Sequence, residues 1–170
     1  MKGVTNYSGI SRYYFRKLLN SIINIGCLTR PSIRVLDFGC GKGELKKLLP
    51  SANIIGYDII PQLSDVDDWR KVNFDILVSN QVFYTFKEEA LDRLLCELKS
   101  KNKNLEIVIG TSRQGMFNNI GKYLLFKFDA HSAARLSPKH ELRILNKHCN
   151  MIKRESVMNL ADVYFFSFKS

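Results

Sequence analysis

The densest chemistry in this 170-residue chain sits in nine consecutive residues, Val35-Leu36-Asp37-Phe38-Gly39-Cys40-Gly41-Lys42-Gly43. Glycines at 39, 41 and 43 remove side chains where a ligand must approach the backbone closely. A short strand, Ile33 to Asp37, leads into this turn. A helix from Leu45 to Leu49 follows it and stops at Pro50. A second carboxylate, Asp58, closes the next strand (Ile54 to Asp58), 19 residues after Gly39. That is where an acidic side chain accepts hydrogen bonds from ribose hydroxyls in dinucleotide-type folds, at the carboxyl ends of the strands.

The spacing excludes two common nucleotide sites. A GxGxxG dinucleotide turn needs glycine at 44, where Glu44 stands, and no GxxxxGK[ST] loop is present. The placement of Asp37 directly before the glycines argues further. A carboxylate there repels a phosphate but attracts a sulfonium or an amino group. Three clustered glycines alone read equally well as a tight turn; Asp37 before them and Asp58 after them favour a ligand site.

The elements that must position these residues alternate. An apolar stripe of Phe15, Leu18, Leu19, Ile22 and Ile23 marks an opening helix with one buried face. After the first two strands, residues 61–72 are acidic and irregular, with room for one helical turn. Phe74 to Ser79 is an almost wholly apolar strand, as a buried parallel sheet requires. Leu91, Leu94, Leu95 and Leu98 form a helical stripe, Lys99 to Asn104 a polar turn, and Leu105 to Ile109 another buried strand. Met116, Phe117, Ile120, Tyr123 and Leu124 make an aromatic helical face, and Ser137-Pro138 starts a last helix. Met151 to Val157 and Val163 to Phe168, joined by Asn159-Leu160-Ala161, read as an antiparallel hairpin on the sheet edge. Alternating strand and helix means a doubly wound, mostly parallel α/β sheet. No linker or repeat divides the chain, so residues 1–170 read as one domain, with a helical region at 1–30.

Charge and cysteines bound the partners. The formal net charge of +10 favours acidic partners, but no run of Lys and Arg exceeds two, so a solvated basic surface is the simpler account. Cys27, Cys40, Cys96 and Cys149 form no CxxC pair, which argues against zinc-ribbon and thioredoxin-like readings, and no metal is expected. Free thiols imply a reducing, cytoplasmic setting. No apolar run approaches a membrane span, and Asn20, Ser21 and Asn24 interrupt the segment that most resembles a signal peptide.

On these residues the chain resembles the class I (Rossmann-like) S-adenosylmethionine (SAM)-dependent methyltransferases. Val35 to Gly43 looks like their first motif, Ile55-Gly56-Tyr57-Asp58 like their acidic second-strand end, and Phe74 to Phe86 like their fourth-strand motif. The resemblance implies a seven-stranded sheet with a C-terminal antiparallel hairpin. It implies SAM as cofactor, with Gly39, Cys40, Gly41 and Gly43 against its methionine and ribose portions, Asp37 on the methionine amino group and Asp58 on the ribose diol. Asn80 and Gln81 would face the methionine end and the acceptor. The segment between Asp58 and Phe74, 15 residues, is shorter than the family pattern, leaving room for a short strand or a turn. Asp67 is the best adenine contact there, with Asp65 and Asp68 beside it; for each, a solvated loop is the simpler account.

For the acceptor, Ser79-Asn80-Gln81-Val82-Phe83 lacks the Asn/Asp-Pro-Pro-aromatic tetrad of amino-methylating nucleic-acid enzymes. A small molecule (metabolite, lipid or sugar) is therefore the expected acceptor. An RNA methyltransferase, supported by charge, and a non-catalytic SAM-binding module are the alternatives. Phe83 and Tyr84 would wall the acceptor pocket or pack the core, and residues 111–136 would cap it. His131, on the loop side, is the candidate general base, against an ordinary loop histidine; His140 and His148 read as surface or packing residues.

Overall fold

The computed structural model describes residues 9–113 and 135–170. Helix α1 (Gly9–Ile25) precedes β1 (Arg34–Phe38), a short α2 (Glu44–Leu48) and β2 (Asn53–Tyr57). Two 3-10 turns, Pro61–Leu63 and Trp69–Lys71, lead to β3 (Ile76–Asn80), and a third, Phe83–Thr85, to α3 (Glu88–Lys101) and β4 (Glu106–Ser112). Helix α4 (Pro138–His148) runs directly into the hairpin β5 (Cys149–Val157) and β6 (Ala161–Phe168).

The strands form one sheet in the order β2-β1-β3-β4-β6-β5. The first four are parallel; β6 pairs antiparallel with β4, and β5 with β6. The strand order reverses between β1 and β3, so the topological switch point, where α/β sheets take their ligands, lies at the carboxyl ends of those two strands. The sheet has six strands among the described residues, not the seven that the resemblance implies. The reason lies after β2: the two 3-10 turns occupy the space of a helix and strand. The loop also covers the outer edge of β2 itself. Gly56 N donates to Asp65 Oδ2 at 2.7 Å and Asp65 N returns a bond to Gly56 O at 2.9 Å, pairing an edge that a further strand would otherwise satisfy.

Alternation along the strands feeds two apolar layers. Val35, Ile76, Val78, Val108 and Val163 pack under α1 through Leu18 and Ile22. Leu36, Leu77, Ile107, Ile109 and Phe166 pack under α3 and α4 through Leu91, Leu95, Ile144 and Leu145. Burial on both faces explains why the parallel strands read as unbroken apolar runs. Ser137 Oγ accepts from His140 N, capping α4 with Pro138 in its first turn. Helix α3 continues to Lys101, through part of the polar segment expected to be a turn, because Leu98 is fully buried and carries it forward. The hairpin turn centres on Met158 and Asn159, both at positive φ, one residue earlier than expected, closed by Leu160 N to Val157 O at 2.9 Å.

Candidate functional site

The turn after β1 is held to the end of β2 by its own backbone. Gly39 N and Cys40 N both donate to Tyr57 O, at 2.7 and 3.1 Å. The three glycines, all at positive φ, have different reasons to be glycine. A Cβ on Gly39 would lie 2.3 Å from Val82 Cγ2, so this position brings the turns after β1 and β3 into contact at the switch point. A Cβ on Gly41 or Gly43 would meet nothing within 4 Å. These two face a cleft of about 430 Å³, lined also by Asp37, Cys40, Gly56 and Asp65.

Two carboxylates, Asp37 and Asp65, line this cleft with Lys42, Lys46 and Lys47, and a third, Asp58, holds the Gly41 N–H at its rim. Asp37, only 5% exposed, has its pKa raised to about 7 by burial first, then by the charges of Asp58 and Asp65. It takes part in no ion pair among the described residues. Asp58 is fixed by backbone donors: Gly41 N to Oδ2 and Ile60 N to Oδ1, each at 2.9 Å. Each oxygen retains a lone pair for a further donor. Asp65 is held below the usual carboxylate range by the Gly56 N–H and by Lys46, whose Nζ lies 3.0 Å away. The Cys40 thiol is pushed up to about 12 by burial and by the same three carboxylates, so it stays protonated; its Sγ lies 3.3 Å from Leu63 O.

At the end of β3, Asn80 pairs with Gly110, whose missing side chain leaves room for the Asn80 amide: a Cβ there would lie 2.5 Å from Oδ1. Gln81 takes positive φ and donates its N–H to Gly110 O at 2.8 Å. Asn80 Oδ1 and Gln81 Nε2 are buried without a hydrogen-bond partner among the described residues. Buried polar atoms in a finished core are nearly always paired, so this acceptor and this donor call for a partner that a ligand at the strand end can supply.

The structure thus brings Asp37, Gly39, Cys40, Gly41, Gly43 and Asp58 together, with Asn80 at the end of the adjoining strand and Gln81 just after it. Asp67 is exposed on the loop and does not line the cleft; Asp65 does. Asp68 caps the second 3-10 turn through Arg70 N. Phe83 is fully buried against Phe38 and Phe86, a packing residue. Tyr84 is half-buried, and its carbonyl accepts from Arg135 N and Leu136 N. His140 is exposed, while His148 Nε2 lies 2.8 Å from Asp92 Oδ1. His131, the Met116 to Leu124 helical face and most of the 111–136 cap lie outside the described residues.

Three features were not singled out from the sequence. Ile59, directly after Asp58, is 89% exposed, an apolar surface beside that carboxylate. Ser64 braces Asp58 by accepting its N–H at 3.1 Å. Glu141, 2% exposed, accepts from Thr111 Oγ1 at 3.1 Å; burial raises its pKa to about 7, against the opposing hydrogen bond. The apolar residue after Asp58 was open to sequence reasoning; a buried glutamate in a polar first turn was not.

No protein-family model and no curated protein matches the chain. Solved structures do. Magnesium protoporphyrin IX methyltransferase from Synechocystis PCC 6803 with bound SAH is 14% identical, with 98% of this chain and 90% of that chain covered, at a TM-score of 0.62. A TehB-like SAM-dependent methyltransferase from Corynebacterium glutamicum is 16% identical over 93% and 96% of the two chains, at 0.61. The small RNA methyltransferase HEN1 is 15% identical over all of this chain but 26% of its own, at 0.62. The chain has the fold of the class I SAM-dependent methyltransferases.

Proposed function

We propose that this chain binds SAM and transfers its methyl group to a small-molecule acceptor. One observation carries the reading: a buried carboxyl with no cationic partner among the described residues, Asp37, beside an open glycine turn and a ribose-ready carboxylate, Asp58. Lys42, Lys46 and Lys47 line the cleft too, but Lys46 pairs with Asp65 and Lys47 with Glu44, and none of the three forms an ion pair with Asp37; a ligand with a sulfonium and an amino group supplies a positive charge at Asp37 itself.

In this reading Asp37 holds the methionine amino group and becomes charged as that ammonium arrives. Gly41 and Gly43 let the methionine and ribose lie on the backbone, with Cys40 beside them as a protonated, unreactive wall. Asp58 takes the ribose hydroxyls while Ile59 supports the sugar and base. Asn80 Oδ1 and Gln81 Nε2 orient the methionine end and the acceptor. The adenine end falls to the loop at 59–68, where Asp67 stands. SAM supplies an activated methyl group, so the chain's main contribution is alignment for in-line displacement. A hydroxyl acceptor must also lose a proton, the role we assign to His131.

The absence of proline after Ser79-Asn80 supports a small acceptor such as that of the protoporphyrin enzyme, and the free thiols fit a cytoplasmic setting. The charge of +10 favours RNA as the second reading. Calorimetric titration with SAM and SAH tests the core proposal: binding by both, with NADH inert, is expected. Absence of SAM binding by the folded chain refutes it. Submicromolar RNA binding that weakens steeply with salt would move the acceptor to RNA.

A further inference from the structure

We propose that Asp92, Cys96 and His148 form a zinc-type metal site that clamps α3 to α4. Asp92 and Cys96 stand one turn apart on α3, so their side chains share a face. His148 is the last residue of α4, which lies against that face. One carboxylate oxygen, one thiol sulfur and one imidazole nitrogen converge there, all within 4.8 Å of one another.

The donor set selects the metal. Nitrogen and sulfur together favour zinc and its borderline neighbours over magnesium or calcium, which take oxygen. Three protein ligands leave a fourth tetrahedral position for water. Zinc bonds of about 2.0–2.3 Å place tetrahedral ligand atoms roughly 3.3–3.8 Å apart. His148 Nε2 and Asp92 Oδ1, now 2.8 Å apart, need only open slightly around an ion. Cys96 is exposed and free to swing inward, while the His148 side chain, 13% exposed, is already held in place.

The competing arrangement is also visible. Lys147 Nζ lies 2.7 Å from the same Asp92 oxygen, and its side chain is largely exposed. A divalent ion replaces that ammonium with a stronger charge at no packing cost, since Lys147 turns out to solvent. Around its apolar core, where Leu91, Leu95, Ile144 and Leu145 are buried together, the seam's exposed rim carries polar pairs, with Arg143 on Glu88 at 2.8 Å. A metal would add one directional link where α4 ends and β5 begins. None of the three ligands lines the glycine cleft, so the clamp is independent of methyl transfer.

The test titrates chelator-treated full chain with Co²⁺. One equivalent is expected to produce tetrahedral visible bands and a sulfur-to-cobalt charge-transfer band, both bleached when Zn²⁺ displaces it and unaffected by Mg²⁺. Cys96→Ser, at an exposed position that the fold tolerates, is expected to abolish the charge-transfer band with an unchanged circular dichroism spectrum. His148→Gln should weaken Co²⁺ binding at least tenfold, and Lys147→Ala should tighten it a few-fold by removing a competing surface ion pair. Failure of the wild type to give the cobalt spectrum overturns the proposal. So does a charge-transfer band that survives in Cys96→Ser, because the metal then sits on another cysteine.

Discussion

Replacing Asp37 with Asn should stabilise the ligand-free protein while weakening its hold on SAM. The magnitude follows from linkage. Asp37 is nearly fully buried, and its pKa rises from 3.8 to about 7 on folding. The folded state therefore binds this proton more tightly than the unfolded chain, and stability falls as pH rises through the interval between those values. Across the whole interval the loss is about 4 kcal/mol, of which about 2–3 kcal/mol falls between pH 5 and pH 8. Glu141 titrates in the same window with the same sign, so the wild-type curve alone does not isolate Asp37. The difference between wild type and Asp37→Asn does. Urea denaturation of both proteins at pH 5 and pH 8 is the assay: their stabilities should diverge by about 2–3 kcal/mol over that range, the variant gaining as pH rises. Saturating SAH should restore wild type at pH 8 more than the variant, because the ligand's ammonium neutralises only a carboxylate. Parallel pH profiles would refute the account of Asp37 as an unpaired buried charge, and with it the electrostatic argument for a cationic ligand.

Other substitutions separate fold from site. Gly39→Ala places a Cβ 2.3 Å from Val82 Cγ2 at a positive φ and should cost roughly 2–5 kcal/mol in thermal or urea denaturation. Gly41→Ala meets no protein atom, so it should cost only about 1–2 kcal/mol of stability from its φ while lowering SAH affinity by calorimetry. Asp58→Ala should weaken SAH binding by about 1.5–3 kcal/mol, the range for hydrogen bonds to a charged group, with equilibrium dialysis as an independent check. His131→Ala should lower turnover roughly a hundredfold or more at unchanged SAH affinity if the acceptor is a hydroxyl. Full activity in steady-state assays would remove His131 as the base.

What was legible in the sequence is local or periodic. The positions of the parallel strands follow from apolar runs buried on both faces, and α1 from the stripe through Leu18 and Ile22. The Asp37-to-Gly43 turn was legible because its chemistry lies within nine consecutive residues. What was hidden depends on tertiary register. Asp65, not Asp67, lines the cleft because the bare edge of β2 captures the carboxylate that reaches Gly56. The burial of Glu141 depends on Thr111 of β4 meeting α4. Asp92 and Cys96 meet His148 only because α3 and α4 pack together. The hairpin turn shifted by one residue because Met158, a poor residue for positive φ, was not read as part of it.

The loop that replaces a strand beside β2 also sets the electrostatics of the cleft. Pairing the edge of β2 requires an acceptor for Gly56 N, and the loop supplies the Asp65 carboxylate. That charge, with Asp58, adds to the burial that raises Asp37, and Lys46 offsets it at Asp65 but takes part in no ion pair with Asp37. Closing the sheet edge therefore adds a carboxylate beside Asp37, a buried carboxyl in ion-pair contact with no described cation, although Lys42, Lys46 and Lys47 line the same cleft. A ligand carrying positive charge at the glycine turn relieves that imbalance, and because it binds only the folded chain, its binding energy adds directly to stability. Pairing the edge of β2 and adding charge beside Asp37 are thus the work of one residue, Asp65.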